Sequence, residues 1–289
     1  MPTNYSLPGS LLLLALQATA QNHQRPNILY IMSDDHAYQC ISAYGSKVFR
    51  QTPTPNIDRI AREGMRFDRA FVENSISTPS RACLITGLYS HQNGQRQLAE
   101  GIDTTKTFFS ELLQQVGYQT AVVGKWHMIC NPKGFDYYQI LDDQGPYFNP
   151  DFRSNRTHNK YVREQGYTTE LITKHAIEWL DSRDKQKPFC LMVHHKAPHR
   201  NWMPAIQNMG MYDNVTFPLP HSWNDDFSTR GSATRTQRMD IGRDMTLQSD
   251  LKVDTKHLDN PDGSRVFGEW YRLNEGQKPA IQQYYTQRS

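Results

Sequence analysis

The chain has 289 residues, and its 32 Lys and Arg against 29 Asp and Glu leave a formal charge of only +3. That balance excludes the broad basic footprint that nucleic acid or an anionic membrane surface demands, and the length suffices for one large domain with a sizeable core. Cys40, Cys83, Cys130 and Cys190 lie far apart with no C-x-x-C pair, so no zinc site is expected; two disulfides, or simple apolar packing of Cys83 and Cys190, both fit.

The opening stretch LPGSLLLLALQATAQ has an apolar run from Leu11 to Leu16 followed by the small-x-small pattern Ala18-Thr19-Ala20. The run is too short to cross a bilayer and reads as a cleaved export signal, residues 1–20, with the mature chain starting near Gln21. A periplasmic or secreted protein is therefore expected. NILYIM, ahead of SDD, predicts a strand buried on both faces of a parallel sheet. PNIDRIAREG predicts a helix with Ile57, Ile60 and Ala61 on one stripe and Gly64 as its stop. TFFSELLQQVGY continues with an amphipathic helix through Phe108, Phe109, Leu112, Leu113 and Val116, and QTAVVG with the next strand. TTELITKHAIEWLDS places Leu171, Ile172, His175, Ala176, Trp179 and Leu180 on one helical face, and PFCLMVHH follows as a third strand. The alternation defines an α/β fold with a mostly parallel sheet. Beyond about Asn201 the chain turns rich in Pro, Asn, Asp and Ser; it shows no repeats, no membrane span and no convincing strand.

Each predicted strand runs into reactive groups: Asp34-Asp35-His36, then Lys125-Trp126-His127, then His194-His195-Lys196-Ala197-Pro198-His199. Ligands of open α/β sheets bind beyond the carboxyl ends of the strands, so the three clusters are expected to meet in one crevice. Adjacent carboxylates suit a hard divalent cation, although Asp equally caps a turn. Lys125 and His127, two apart, can face one side of an extended segment. In SISTPSRACLITG, Thr78 and Pro79 suit the cap and first position of a short helix through Thr86, with Gly87 beyond it. Ser77 would then sit at the positive helix end with Arg81 one turn along, an arrangement fit either for an anion or for plain capping.

S-x-P-S-R-x-x-x-I-T-G resembles the maturation signature of the type I sulfatases, in which a Cys or Ser at the position of Ser77 is oxidised to formylglycine. RPNILYIMSDDH, TPNIDRIAREGMRFDRAF, GKWH and APHRNW extend the resemblance in order from about Arg25 to Trp202, with Ile85 where Leu or Met is commoner. The resemblance implies an alkaline-phosphatase-like α/β sandwich, with residues 21–289 as the N-terminal, incomplete part of the catalytic domain. It implies a calcium ion bound by Asp34, Asp35 and the group made from Ser77, which Arg81 holds. One hydroxyl of the hydrated aldehyde attacks sulfur and the other later expels sulfate, while Lys125, His127 and His199 surround the sulfate and move protons. It further implies a formylglycine-generating maturase acting before export. ILDDQGPYFNPDF and APHRNW resemble the N-acetylglucosamine-6-sulfatase branch, which removes 6-O-sulfate from glycosaminoglycans, although that branch often carries glycine where Asp143 stands.

The family completes its metal site with a later acidic pair behind a buried strand. Asp143-Gln144, Asp213-Asn214 and Asp259-Asn260 are the available pairs, and none is expected to follow an apolar run, so the sequence reads as ending before half of the metal site. Two rivals accompany the sulfatase expectation: a phosphatase-like hydrolase with unmodified Ser77, and an inactive fragment that binds sulfated glycans.

Overall fold

The structure, a computed structural model, describes residues 25–252 and 269–288. The expected signal segment and Asp259-Asn260 lie outside the described residues. One mixed sheet of six strands, ordered β1-β6-β2-β3-β4-β5, organises the chain. Its strands are β1 (Ile28–Met32), β2 (Gln119–Gly124), β3 (Tyr137–Leu141), β4 (Asp151–Ser154), β5 (Val162–Arg163) and β6 (Phe189–His194). β1, β6, β2 and β3 run parallel, while β4 and β5 are added antiparallel.

Period-two alternation along the central strands feeds two cores. Val122, Ile140, Cys190 and Met192 face one side, with α2 (Ser77–Thr86), the short α3 (Ser90–Asn93) and α4 (Phe109–Gln115) on that flank, where Ala82, Ile85 and Phe108 are buried. Ala121, Val123, Leu191 and Val193 face the other, where α5 (Thr168–Ser182) buries Leu171, Ile172, Ala176 and Trp179. His175, expected on that face, packs edge-on against Phe152 of this core, its Nε2 2.8 Å from Glu164 Oε1. All four cysteines are free, and Cys83 and Cys190 are buried, as apolar packing predicts.

One expectation fails, at β1. β1 is not buried on both faces: it has β6 on one edge only, Tyr30 and Met32 are half-buried, and Leu29 and Ile31 are more than half exposed. No described element covers that face. The stripe of α1 (Pro55–Glu63) is likewise open, with Ile60 62% exposed; the helix is fastened by Asp58, which accepts from the Ala43 amide (2.8 Å) and Thr54 Oγ1 (2.9 Å). Beyond residue 200 the described residues hold no strand, but they do hold the short helices α6 (Ser232–Thr236) and α7 (Ile241–Asp244), and α8 (Gln277–Thr286). Ile281 and Tyr285 of α8 pack with Tyr147, Phe148 and Met203 into a third apolar cluster.

Candidate active site

The carboxyl ends of β1, β6 and β2 lie side by side, and backbone hydrogen bonds knit their loops together. The Asp34 amide donates to Ala197 O (3.1 Å), His195 to Met32 O (2.8 Å), and Lys125 to His194 O (2.8 Å). Gly124 permits the last: its φ is +104°, and a Cβ there would lie 2.0 Å from His194 O. The three clusters therefore do meet in one place.

At the centre is Ser77. It is the first residue of α2, two earlier than the sequence suggests, because Ile76 takes the extended cap position. Thr78 does not cap: it is buried, and its Oγ1 donates to His127 O (2.9 Å). Ser77 Oγ lies 3.3 Å from Arg81 Nε and 3.3 Å from His127 Nδ1. Arg81, 3% exposed, also donates Nη1 to Lys125 O (2.6 Å) and to His194 Nδ1 (3.1 Å), and Nη2 reaches Asp34 Oδ2 (3.4 Å). A guanidinium fixed on four sides can aim at Ser77 with little reorganisation.

Lys125, fully buried, donates Nζ to Asp34 Oδ2 and to Gln144 Oε1. Burial drives its pKa down to about 8 against the opposing pull of Asp34. Burial alone would raise Asp34, yet the hydrogen bond and charge of Lys125, with Arg81 behind them, hold the carboxyl below its usual range. Burial, then the charge of Lys125, lowers His127 to about 4, outweighing Asp143, whose Oδ1 sits 3.1 Å from His127 Nε2. His127 is thus neutral at pH 7; with Nε2–H donated to Asp143, its Nδ1 is free to accept from Ser77. Asp35 stands apart from Asp34: its side chain is exposed and Oδ2 lies 3.5 Å from His199 Nε2. His199 is further held by Tyr147, whose hydroxyl donates to its carbonyl (2.5 Å).

Sequence reasoning missed Tyr147 as a partner, and it named Asp143-Gln144 and the strand-end His194 without giving them their contacts to His127, Lys125 and Arg81. The Asp143-Gln144 pair does follow a buried apolar strand, contrary to expectation, because YYQIL is β3, buried throughout. Gly145, at φ +68° where a Cβ would sit 2.6 Å from Leu141 Cδ1, closes the turn presenting the pair. The pair faces Lys125 and His127, not Asp34. Asp213 pairs with Arg288. Among the described residues no group of three or more His, Cys, Asp or Glu converges as a metal site. Asp34 Oδ2 is taken up by Lys125 and Arg81 and Asp35 faces His199, and a hard cation takes about six to eight oxygens, so the described residues fit one only in part.

A mostly parallel sheet of this order, with a serine, an arginine and a lysine–carboxylate pair at its carboxyl edge, defines an α/β fold of the alkaline-phosphatase-like type. The sulfatase family profile matches residues 26–239, and this chain belongs to the sulfatase family. It is 46% identical over 260 residues to an N-acetylglucosamine-6-O-sulfatase of Bacteroides thetaiotaomicron, covering 88% of this chain and 46% of that protein. An N-acetylglucosamine-6-sulfatase of Capra hircus is 26% identical over 237 residues, 73% of this chain and 40% of the relative. Among solved structures, BT4656 in complex with its substrate D-glucosamine-2-N,6-O-disulfate superposes with a TM-score of 0.85 at 44% identity, over 92% of this chain and 53% of that one. The chain spans about half the length of the relatives it matches.

Proposed function

We propose that this chain carries the nucleophile half of a sulfuric ester hydrolase acting on a sulfated sugar, with the 6-O-sulfate of N-acetylglucosamine in glycosaminoglycans as substrate. One observation carries the reading: Ser77 Oγ stands 3.3 Å from both Arg81 Nε and His127 Nδ1, in a chain 46% identical to an N-acetylglucosamine-6-O-sulfatase. Ser77 is the residue a maturase oxidises to formylglycine, residues 1–20 direct export, and the mature protein is periplasmic or secreted. Asp34 and Asp35, with the modified Ser77 side chain, contribute oxygens to one calcium ion. When present, the formylglycine hydrate supplies one hydroxyl to attack sulfur and a second to expel sulfate.

The residues of this chain do the rest. Arg81 donates toward the Ser77 position and keeps its charge throughout. Neutral His127 accepts a proton at Nδ1, and Asp143 stabilises the cation that forms. Lys125, with a pKa of about 8, is mostly protonated at pH 7 and offsets sulfate charge together with Arg81. His199, set beside Asp35, delivers a proton to the departing sugar oxygen.

Intact mass of the protein from its native host, read with sulfate release from N-acetylglucosamine-6-O-sulfate, tests this. The expected result is loss of two hydrogens at Ser77 with sulfate release that Ser77→Ala abolishes. An unmodified Ser77 with release of phosphate from aryl phosphate, and no sulfate from either sugar or aryl ester, refutes it.

A further inference from the structure

The loop that carries His199 is gripped from a distant part of the chain. Arg200, the next residue, reaches α7 and the turn Leu247–Leu251 that follows it: Nε donates to Asp250 Oδ1 (2.5 Å), and Nη2 to Asp250 Oδ2 (2.7 Å) and Asp244 O (2.9 Å). The Asp250 side chain is wholly buried and also accepts from the Thr246 amide (2.9 Å). Two residues further on, buried Lys252 donates Nζ to Trp202 O (2.6 Å), so one short segment holds the loop at both Arg200 and Trp202. The bidentate fork fixes the guanidinium in plane and direction, where a single contact would let it swing. An ion pair with a buried carboxylate contributes little net stability, so its main effect falls on where the loop is held.

Arg200 in turn acts on His199 through its backbone, because the Arg200 carbonyl accepts from His199 Nδ1. With the proton placed on Nδ1 by that contact, the neutral ring keeps Nε2 as the nitrogen that exchanges a proton, on the side where Asp35 Oδ2 lies 3.5 Å away. Tyr147 holds the His199 carbonyl, and the Asp250–Arg200 pair holds its ring. We infer that Asp250 is a positioning residue: through the side chain and then the carbonyl of Arg200 it fixes the ring and tautomer of His199, so that Nε2 is presented to the departing sugar oxygen. The inference rests on the sulfatase reading for the role of His199 and goes beyond it in assigning what aims the ring.

The leaving group separates aim from fold. A sugar alcohol departs with a proton, whereas 4-nitrophenolate departs as the anion, so a misaligned His199 shows on the sugar ester alone. The full chain, Asp250→Asn and Asp250→Glu are each assayed for sulfate release from N-acetylglucosamine-6-O-sulfate and from 4-nitrophenyl sulfate, and nitrogen NMR at alkaline pH reads the His199 tautomer. Asp250→Asn is expected to lower kcat on the sugar ester about tenfold or more with little change in KM, and to leave the aryl ester within about twofold. It also shifts His199 from the Nδ1–H form toward the Nε2–H form that free imidazole favours, and Asp250→Glu recovers part of each effect. Equal losses on both esters, a change confined to KM, or an unchanged His199 signal in Asp250→Asn overturns the inference. Should the unsubstituted chain release sulfate from neither ester, the sulfatase reading falls, and the NMR comparison still decides whether Asp250 sets the His199 ring.

Discussion

His194 gives the sharpest test of how the buried site is held. It closes β6 with 2% of its surface exposed, its Nδ1 facing Arg81 Nη1 at 3.1 Å and Lys125 O at 3.2 Å. Burial, and then the Arg81 charge, push its pKa well below the usual histidine range. In the unfolded chain the same ring titrates near about 6.5. Below that pH the unfolded state takes up a proton that the folded state refuses, so the stability due to His194 is complete above about 6.5 and declines as pH falls. The slope for one group is about 1.4 kcal/mol per pH unit, which amounts to about 2 kcal/mol between pH 6.5 and 5. His36, His127 and His195 are lowered as well, so the informative quantity is the difference between the parent chain and His194→Gln, which keeps an acceptor for Arg81. Urea unfolding across pH 7.5 to 5.0 should show the variant losing about 2 kcal/mol less than the parent. Equal losses, or an NMR titration that puts folded His194 near 6.5, would refute the reasoning.

Lys125→Met leaves Asp34 buried with only Arg81, 3.4 Å away, to offset its charge; unfolding should show a loss of about 3 kcal/mol, and adding Asp34→Asn should recover most of it. Tyr147→Phe removes the hydroxyl that holds the His199 carbonyl, so stability should drop by about 1 kcal/mol while sulfate release falls with little change in KM; a change in KM alone would contradict the positioning of His199.

Much of this was legible from local pattern. β2 and β6 were readable because uninterrupted apolar runs mark strands buried on both faces, and α5 because its apolar spacing is helical over fifteen residues. β3 escaped because Gln139 interrupts it; that polar side chain is tolerated inside because it donates to Glu164 Oε1 at 3.1 Å. α8 escaped because QKPAIQQYYT has only Ile281 and Tyr285 to bury, and their partners Tyr147 and Met203 lie far away in sequence. β1 was misjudged for the opposite reason: an apolar run records what a segment is able to bury, not what covers it in the structure. In the site, Ser77, Arg81, Lys125 and Asp34 were found from motif and strand ends. Their supporting contacts were not, because Asp143, Gln144 and His194 acquire meaning only once β2, β3 and β6 are laid side by side.

Trp126 sits between Lys125 and His127 and is almost wholly enclosed, with Phe135 edge-on at 6.0 Å and its indole nitrogen donating to Cys130 O at 2.7 Å. The two polar neighbours, Lys125 on Asp34 and Gln144 and His127 on Ser77, are therefore anchored to the hydrophobic interior through the residue between them. A change to that interior, such as Phe135→Leu, therefore bears on where Lys125 and His127 sit at the sheet edge, so drift in the core is bounded by the spacing it must keep among Asp34, Ser77 and these two side chains.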